Sequence, residues 1–190
     1  MLLSHLSLIK ENTSDFSLFV SKIATHLSGT NNFKCTLVFP ITPHSSGHHK
    51  WILAATDYFT KWIEAIPTKN ANHQVIIKFL NENIFTRFGC PTKLVTDNAT
   101  TFRVEELVDM CESMGIQLVH STSYYPQGNG LAESSNKSLV RIIKKLLEDN
   151  KKSWDSKLKF SLCADRVTNK NSIGNSPFTL VYGADVVFPI

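Results

Sequence analysis

The chain has 190 residues, of which 42% are apolar and 19% are charged, and its formal net charge is +4. These values are ordinary for a soluble globular protein and suit one α/β domain with a hydrophobic core and a short appendage. No apolar run is long enough to span a bilayer, which excludes a transmembrane protein, and we expect no membrane partner. The charge permits binding to a polyanion without requiring it, so the positions of the basic residues matter more than their sum.

The four cysteines lie far apart in the sequence, and no C-x-x-C pair or matching histidine spacing occurs among them. This predicts free thiols in a reducing compartment rather than a structural zinc site. The first fifteen residues carry no basic residue ahead of their apolar stretch, which makes them a poor signal peptide. We predict that residues 1–33 form an N-terminal extension of unknown role and that residues 34–190 form one domain.

The pattern of apolar residues from position 34 onward predicts alternating strands and helices. The predicted strands cover residues 35–39, 51–55, 62–66, 93–96 and 116–119, and the second and third form a hairpin around the turn at Asp57. The predicted helices cover residues 71–88, 104–114, the segment from about 130 to 148, and 153–169. Gly89 and Pro91 end the first of these helices. This order predicts an α/β fold with a mixed sheet flanked by helices.

Asp97 directly follows the predicted strand 93–96, in the string TDN. Reactive groups in α/β proteins tend to lie at strand ends, because the strand holds them in place and the loop leaves them accessible. An aspartate in this position is also a common turn or helix-cap residue. The position by itself leaves both interpretations open.

The loop at residues 124–130 reads YYPQGNG and joins two aromatic residues with two glycines. Aromatic rings offer stacking surfaces for nucleobases, and glycines let the backbone approach a ligand closely. The alternative is a flexible loop that hydrophobic side chains anchor to the core.

The helix after this loop has two different sides at 100° per residue. Its predicted apolar side consists of Leu131, Ser135, Leu139, Ile142 and Leu146. Its predicted charged side consists of Glu133, Lys137, Arg141, Lys144 and Glu148. The charged side is either a solvated face with ion pairs such as Glu133–Lys137, or a metal ligand beside a row of phosphate-contacting cations.

Several strings occur together in an order that resembles the integrase core of retroviruses and, more closely, of gypsy-type LTR retrotransposons. Thirty-five residues lie between Asp97 and Glu133, in the strings TDNATTF and YYPQGNGLAESSNKSL. The other strings are FPITP, HHKWILAATDYFTKWIEAIP, FLNENIFTRFGCPTKLVTDN and SIGNSPFTLVYGADVVFP. The resemblance covers residues 34–190.

The resemblance implies a ribonuclease-H-like fold in which three carboxylates hold two divalent cations, Mg²⁺ or Mn²⁺, for DNA strand transfer. Two hard cations stabilise both the attacking and the leaving oxygen of a phosphodiester. Asp97 matches the second carboxylate and Glu133 the third, so both are implied catalytic residues and metal ligands. The resemblance also implies DNA binding, homo-oligomeric assembly and a nuclear location. The implied DNA-contacting residues are Tyr124, Gln127, Asn129, Lys137, Arg141 and Lys144.

The chain departs from the family pattern at the first carboxylate. Thr36 stands where the opening strand of the family carries aspartate. Ala99 replaces the glycine after the Asp-Asn pair, which we expect to stiffen or strain the turn. Asp57 could substitute for the missing carboxylate, but its string matches the second strand of the family, so we predict a structural turn role for it.

We therefore hypothesise an integrase core whose activity is weak or lost. Two alternatives stay open: a non-catalytic nucleic-acid-binding or assembly module, and a stable fragment without a retained role.

Overall fold

The computed structural model of the chain describes residues 32–38, 41–97, 99–121, 127–147 and 150–187. Side-chain positions are described for Phe33 and Cys35 in the first of these ranges and from Ser135 onward in the fourth. The predicted extension lies almost wholly outside the described residues, and its role and boundary stay predictions.

Five strands form one mixed sheet in the order β3-β2-β1-β4-β5. The strands are β1 (Asn32–Val38), β2 (Trp51–Asp57), β3 (Ile63–Thr68), β4 (Lys93–Thr96) and β5 (Gln117–His120). Strand β2 is antiparallel to both β1 and β3, whereas β4 is parallel to both β1 and β5. The mixed sheet and the β2–β3 hairpin confirm the prediction from the sequence, and β1 begins three residues earlier than predicted.

Helices cover both faces of the sheet. They are α1 (His73–Phe79), a π-helical segment (Leu80–Phe85), α2 (Thr86–Phe88), α3 (Glu105–Ser113), α4 (Gln127–Leu146), α5 (Trp154–Val167) and α6 (Pro177–Tyr182). The first three form one continuous element where a single α-helix was predicted, and Gly89 follows it with φ 77°. The pattern of apolar residues does not predict the π-helical geometry.

Helix α6 was missed by the sequence analysis, although its ends carry recognisable capping residues. The Ser176 side chain accepts a hydrogen bond from the backbone N–H of Thr179, and Pro177 occupies the first turn. Gly183 follows the helix in the left-handed conformation at φ 69°. Serine before proline and glycine after the last turn are typical helix limits, but six residues are too few to show a helical period.

Strand β2 carries core residues on both of its faces, as expected for a buried central strand. Leu53 and Ala55 belong to a core that also contains residues of α1, the π-helical segment and α3. Ile52 and Ala54 belong to a second core with residues of α4 and α5, and Trp154 is fully buried there. The sheet therefore lies between two helical layers.

The buried side of α4 differs from the predicted one. Ser135 and Leu139 are buried as expected, but the row continues through Ile143 and Leu147. Ile142 is half-buried, and Leu146 is 38% exposed. Adjacent apolar residues at 142–143 and 146–147 make two neighbouring rows equally apolar in the sequence. The row that follows Leu139 at intervals of four packs against β2.

Glu64 of β3 lies at the centre of a buried ionic network. One of its carboxylate oxygens accepts hydrogen bonds from Trp62 Nε1 at 2.8 Å and Arg87 Nη1 at 2.5 Å. The other carboxylate oxygen lies 2.8 Å from Arg166 Nη2. Because Glu64, Arg87 and Arg166 come from β3, α2 and α5, the network ties helices from both faces to the edge of the sheet.

Cys35, Cys90, Cys111 and Cys163 are all free thiols, as predicted. Within the described residues, the helices are too short or too polar to cross a membrane.

Candidate functional site at the end of strand β4

Asp97 comes directly after the last residue of β4 and is half-buried. Its Oδ1 accepts a hydrogen bond from the backbone N–H of Ala99 at 3.1 Å. This local turn holds the carboxyl group at the strand end, where a ligand could reach it. The turn interpretation from the sequence is therefore confirmed, and the catalytic interpretation stays a prediction.

Ala99 does not strain this turn, contrary to our expectation. Its backbone has φ −64° and ψ 141°, which is an extended conformation that any residue adopts. Ala99 directly precedes a short 3-10 helix at Thr100–Phe102. A glycine is therefore not required here, because no positive φ has to be accommodated.

The register between β1 and β4 fixes the position of Thr36 along the sheet. Lys34 pairs with Val95 and Cys35 pairs with Thr96 in the parallel ladder. The next residues along the two strands are Thr36 and Asp97, which therefore lie at the same level on neighbouring strands. The side chain of Thr36 lies outside the described part of the structure, and only its backbone is placed.

Cys35, which pairs with Thr96, lies near the Asp97 carboxylate. Burial raises the pKa of the Cys35 thiol, and the nearby charge of Asp97 raises this pKa further. The thiol therefore stays neutral beside the carboxylate. It is a fully buried core residue and not a reactive nucleophile.

Asp57 lies at a different level of the sheet and serves a turn. Phe33 pairs with Asp57 on one side and with Leu94 on the other, so Asp57 is level with a residue three positions before Asp97. At about 3.3 Å per residue this is about 10 Å along the strands, and two strand spacings add about 10 Å across them. Asp57 therefore cannot share a metal site with Asp97.

The hydrogen bonds of Asp57 confirm the predicted turn role. Its Oδ2 accepts from the Thr60 backbone N–H at 2.7 Å and from Thr60 Oγ1 at 2.6 Å. The Lys61 ammonium donates to the carbonyl of Tyr58 within the same turn. These contacts shape the connection between β2 and β3.

A threonine–histidine pair beside Asp97 was missed by the sequence analysis. Thr96 is fully buried, and its Oγ1 lies 2.8 Å from Nδ1 of His120 at the end of β5. The Ser121 backbone N–H donates to the Thr96 carbonyl at 2.8 Å. This pairing joins the ends of β4 and β5 next to the candidate site. The sequence around His120 contains no motif that predicts this pairing.

The remaining predicted site residues lie in α4 or precede it in the sequence, and α4 begins at Gln127, inside the segment that was predicted as a loop. Gln127, Asn129 and Glu133 lie in the N-terminal part of α4, where side chains are not described, and Tyr124 lies outside the described residues. Lys137, Arg141 and Lys144 are exposed, as predicted for the charged side of this helix. Helix α4 also contacts β1, the strand that carries Thr36.

The donor groups at the site can be compared with those that a two-cation centre requires. Hard carboxylate oxygens are the ligands that Mg²⁺ prefers. Among the side chains that the structure describes, no three His, Cys, Asp or Glu residues come together as a metal site. Of the three positions that the resemblance implies, Asp97 is a described carboxylate, Glu133 is placed by its backbone alone, and position 36 holds a neutral threonine. The residues at these positions therefore do not fit the complete set of ligands that the resemblance implies.

Comparison with known proteins places this geometry in a family. Residues 35–126 match the family described as "Integrase core domain". The chain is also 34% identical over 139 residues to the Gag-Pol polyprotein of Avian reticuloendotheliosis virus, which covers 73% of the chain. Residues 35–126 form an integrase core domain of the retroviral type. The residues that match the family model include Thr36 and Asp97, whereas Glu133 lies beyond them.

The integrase relatives are much longer than this chain. The match spans 12% of the Avian reticuloendotheliosis virus polyprotein. A second match, to the Pol polyprotein of Feline endogenous virus ECE1, is 32% identical over 144 residues and covers 75% of this chain and 14% of that protein. The match to retroviral proteins confirms the retroviral type of the resemblance, whereas the closer likeness to gypsy-type elements stays a prediction.

The fold is shared with a solved assembly. The chain is similar to a chain in the cryo-EM structure of the simian T-cell lymphotropic virus intasome in complex with PP2A regulatory subunit B56 gamma. The TM-score is 0.70 at 19% identity, and the match covers 85% of this chain and 57% of that one. The predicted ribonuclease-H-like class of the integrase core is thereby confirmed.

Proposed function

We propose that this chain is the core of a gypsy-type retrotransposon integrase, that it binds DNA, and that its metal-dependent strand transfer is weakened or lost. The observation that carries the proposal is the register that sets Thr36 level with Asp97 on the neighbouring strand. In this proposal Asp97 and Glu133 are the two remaining catalytic residues and metal ligands. Thr36 occupies the position of the first carboxylate of the family pattern.

The expected loss of activity follows from the charge of the missing ligand. A threonine hydroxyl is neutral, so a cation shared with Asp97 loses one anionic partner. Stabilisation by a catalytic cation is worth several kcal/mol, which corresponds to a loss in rate on the order of a thousandfold. The position of Asp57 supports this proposal, because that carboxylate is level with Leu94 and cannot replace the missing one.

Binding to DNA is proposed through α4 and the segment before it. Lys137, Arg141 and Lys144 are exposed cations on one helix, and each contact with a phosphate would release condensed counterions. Tyr124, Gln127 and Asn129 are proposed to contact the DNA beside them. By the same resemblance we propose that the protein assembles as a homo-oligomer on DNA in the nucleus.

The test is an oligonucleotide nicking and strand-transfer assay with Mg²⁺ or Mn²⁺. The native chain is compared with Thr36→Asp, and Thr36→Asn serves as a control of similar size without the charge. We expect activity from Thr36→Asp and at least a thousandfold less from the native chain and from Thr36→Asn. Equal activity of the native chain and Thr36→Asp would show that position 36 is not the missing ligand. A folded but inactive Thr36→Asp would show that the missing carboxylate at position 36 is not by itself the reason for the inactivity.

A second candidate function is a non-catalytic nucleic-acid-binding or assembly module derived from an integrase. The exposed cations of α4 favour it, because they could bind phosphate groups without an intact metal site. The two functions differ in their dependence on Asp97, which binding to DNA would not need.

A further inference from the structure

The turn that joins β2 to β3 carries two neighbouring aromatic side chains at the surface. Tyr58 is 58% exposed and Phe59 is 51% exposed, although the residue before them, Asp57, is buried. An aromatic side chain can bury about 150–250 Å², so two that are about half exposed leave roughly 200 Å² of largely apolar surface. We call Tyr58 and Phe59 the turn patch. Neighbouring exposed rings form a contiguous apolar surface, which marks a contact site more often than scattered single residues do.

The turn patch has a rigid support. The Asp57 carboxylate accepts hydrogen bonds from the backbone N–H and the side chain of Thr60, and the Asp57 carbonyl accepts one from the Lys61 backbone N–H at 3.1 Å. The Lys61 ammonium lies over the Tyr58 ring, 4.6 Å from its centroid. Because the turn is already ordered, a segment that packs on it costs the turn little further conformational entropy.

An aromatic cluster joins this turn to the start of β1. Trp62, directly before β3, lies 6.3 Å from Phe88 and 5.7 Å from Tyr182 between ring centroids. Phe88 lies 5.8 Å from Phe33, the second residue of β1. Trp62 and Phe33 are buried, whereas Tyr182 is 41% exposed. The cluster therefore holds the turn and the start of β1 together and adds a third exposed ring beside them.

The chain enters the sheet beside the turn patch. The antiparallel register that pairs Phe33 with Asp57 sets the next two residues, Asn32 and Tyr58, at one level. Neighbouring strands lie about 4.8 Å apart, so the backbone at Asn32 is close to the turn patch. Asn32 also pairs with Lys93, the first residue of β4.

The sequence before β1 contains an apolar segment that suits this surface. Residues 1–31 lie outside the described part of the structure. Within them, residues 16–27 read FSLFVSKIATHL, with Lys22 as the one formally charged residue. Large apolar residues recur at the spacing of one helical face, at Phe16, Phe19, Val20, Ile23 and Leu27. An apolar stripe of this length needs a surface that covers it, because so short a helix is only marginally stable by itself in water.

The connection between this segment and β1 is short. Residues 28–31 separate Leu27 from Asn32, and this stretch spans at most about 17 Å. A helix over residues 16–27 would be about 18 Å long. Since Asn32 is level with Tyr58, the segment is within reach of the turn patch.

We propose that residues 16–27 dock on the turn patch of their own chain, with the apolar stripe packed against Tyr58 and Phe59. The N-terminal extension then serves to cover this end of the sheet. The turn patch is level with the first residue of β4, whereas Asp97 follows the last one. The docked segment therefore lies away from the candidate site, and its docking does not depend on DNA, metal or strand transfer.

The first experiment follows amide hydrogen exchange by mass spectrometry in the full chain, without DNA or metal. Relative to their intrinsic rates, amides of residues 16–27 should exchange about tenfold more slowly than those of residues 1–12. The double variant Tyr58→Ser/Phe59→Ser should remove this difference, because it deletes the apolar surface of the turn patch. Phe160→Ser is the matched control, since Phe160 is 56% exposed and lies on α5 rather than in the turn. It should keep the native difference.

The second experiment tests the same contact from the side of the segment. Trypsin can cut after Lys10 and after Lys22, and docking should slow the cut after Lys22 relative to the cut after Lys10. Phe19→Ser/Ile23→Ser should speed the cut after Lys22 by about tenfold. Leu8→Ser, which lies ahead of the docked segment, should leave this rate unchanged. These variants keep the native turn, so they test the contact even if the turn variant does not fold.

Equal exchange of residues 1–12 and 16–27 in the native chain would overturn the proposal. A difference that persists in Tyr58→Ser/Phe59→Ser would do the same, and so would a native cleavage rate in Phe19→Ser/Ile23→Ser. Protection that is lost on dilution would also contradict it, because the segment would then dock on a second copy of the chain. Neither measurement contains DNA or metal, so these results are independent of the strand-transfer assay.

Discussion

Cys35 of β1 pairs with Thr96 of β4, and this register sets the next two residues, Thr36 and Asp97, at one level of the sheet. Phe33 of β1 pairs with Leu94 of β4 and with Asp57 of β2, so Asp57 is level with Leu94. Asp97 is therefore beside position 36, whereas Asp57 is about 10 Å away along the strand direction. The predictions about the site follow from this difference.

Asp97→Asn in the Thr36→Asp variant should abolish metal-dependent nicking while it changes duplex affinity less than twofold. The asparagine side chain lacks the negative charge with which Asp97 would hold a cation. Its amide oxygen can still accept the hydrogen bond from the Ala99 backbone N–H. Nicking is measured with Mn²⁺ or Mg²⁺, and binding by fluorescence anisotropy in EDTA. If duplex binding disappears together with nicking, the non-catalytic binding module loses its support.

Asp57→Ala in the Thr36→Asp variant should reduce stability. It should leave strand transfer intact under conditions in which the protein is folded. The substitution removes two hydrogen bonds to Thr60, and bonds to a charged group contribute about 2 kcal/mol. Urea unfolding gives the loss in free energy, and the strand-transfer assay gives the activity. A well-folded but inactive double variant would place Asp57 in the catalytic site, against the register described above.

Glu64→Gln should lower the free energy of unfolding by about 3 kcal/mol, because it leaves the largely buried Arg166 guanidinium without its anionic partner. Arg166→Met should cost a similar amount, since Arg166 is 18% exposed and also donates two hydrogen bonds to the Ile63 carbonyl. Arg87→Met should cost about 1 kcal/mol, because the Arg87 side chain is 41% exposed. Urea denaturation of the three variants measures these losses in free energy of unfolding. Equal losses for Arg166→Met and Arg87→Met would contradict the prediction.

Asp155→Asn should lower stability most near neutral pH. Burial raises the pKa of the Asp155 carboxyl, but hydrogen bonds from His49, Ser45 and the Ser156 backbone N–H outweigh burial and hold this pKa below its ordinary value. The stabilisation is therefore fully present above the ordinary aspartate pKa of about 3.9 and is lost as the pH falls through the lower pKa of the folded state.

The measurement for Asp155 is urea unfolding of the native chain and of Asp155→Asn at pH 6, 4 and 3. The gap in free energy of unfolding should be widest at pH 6 and narrow below about pH 4. The Oδ2 of Asp155 lies 2.9 Å from His49 Nδ1, so the aspartate joins α5 to the loop before β2. A gap that stays constant over this range would show that the charge of Asp155 does not stabilise the fold.

The sequence by itself determined the local elements and the chemistry of the strand end. Strand β4 was predicted with the bounds that the structure shows, because a short apolar run lies between turn residues. The turn role of Asp57 and the exposure of Arg141 were also predicted, since both follow from local pattern and helical period. The family resemblance could be recognised because several strings of residues occur in a fixed order.

Only the tertiary structure decided which residues lie together. The level of Thr36 against Asp97 depends on strand register, which long-range pairing sets and which no local pattern encodes. The buried row of α4 passes through Ile143 rather than Ile142, because packing against β2 chose between two apolar neighbours. Lys61, Arg141 and Lys170 meet at one cavity for the same reason. Periodicity indicates which face of an element is apolar, whereas contact between distant elements depends on how the layers pack.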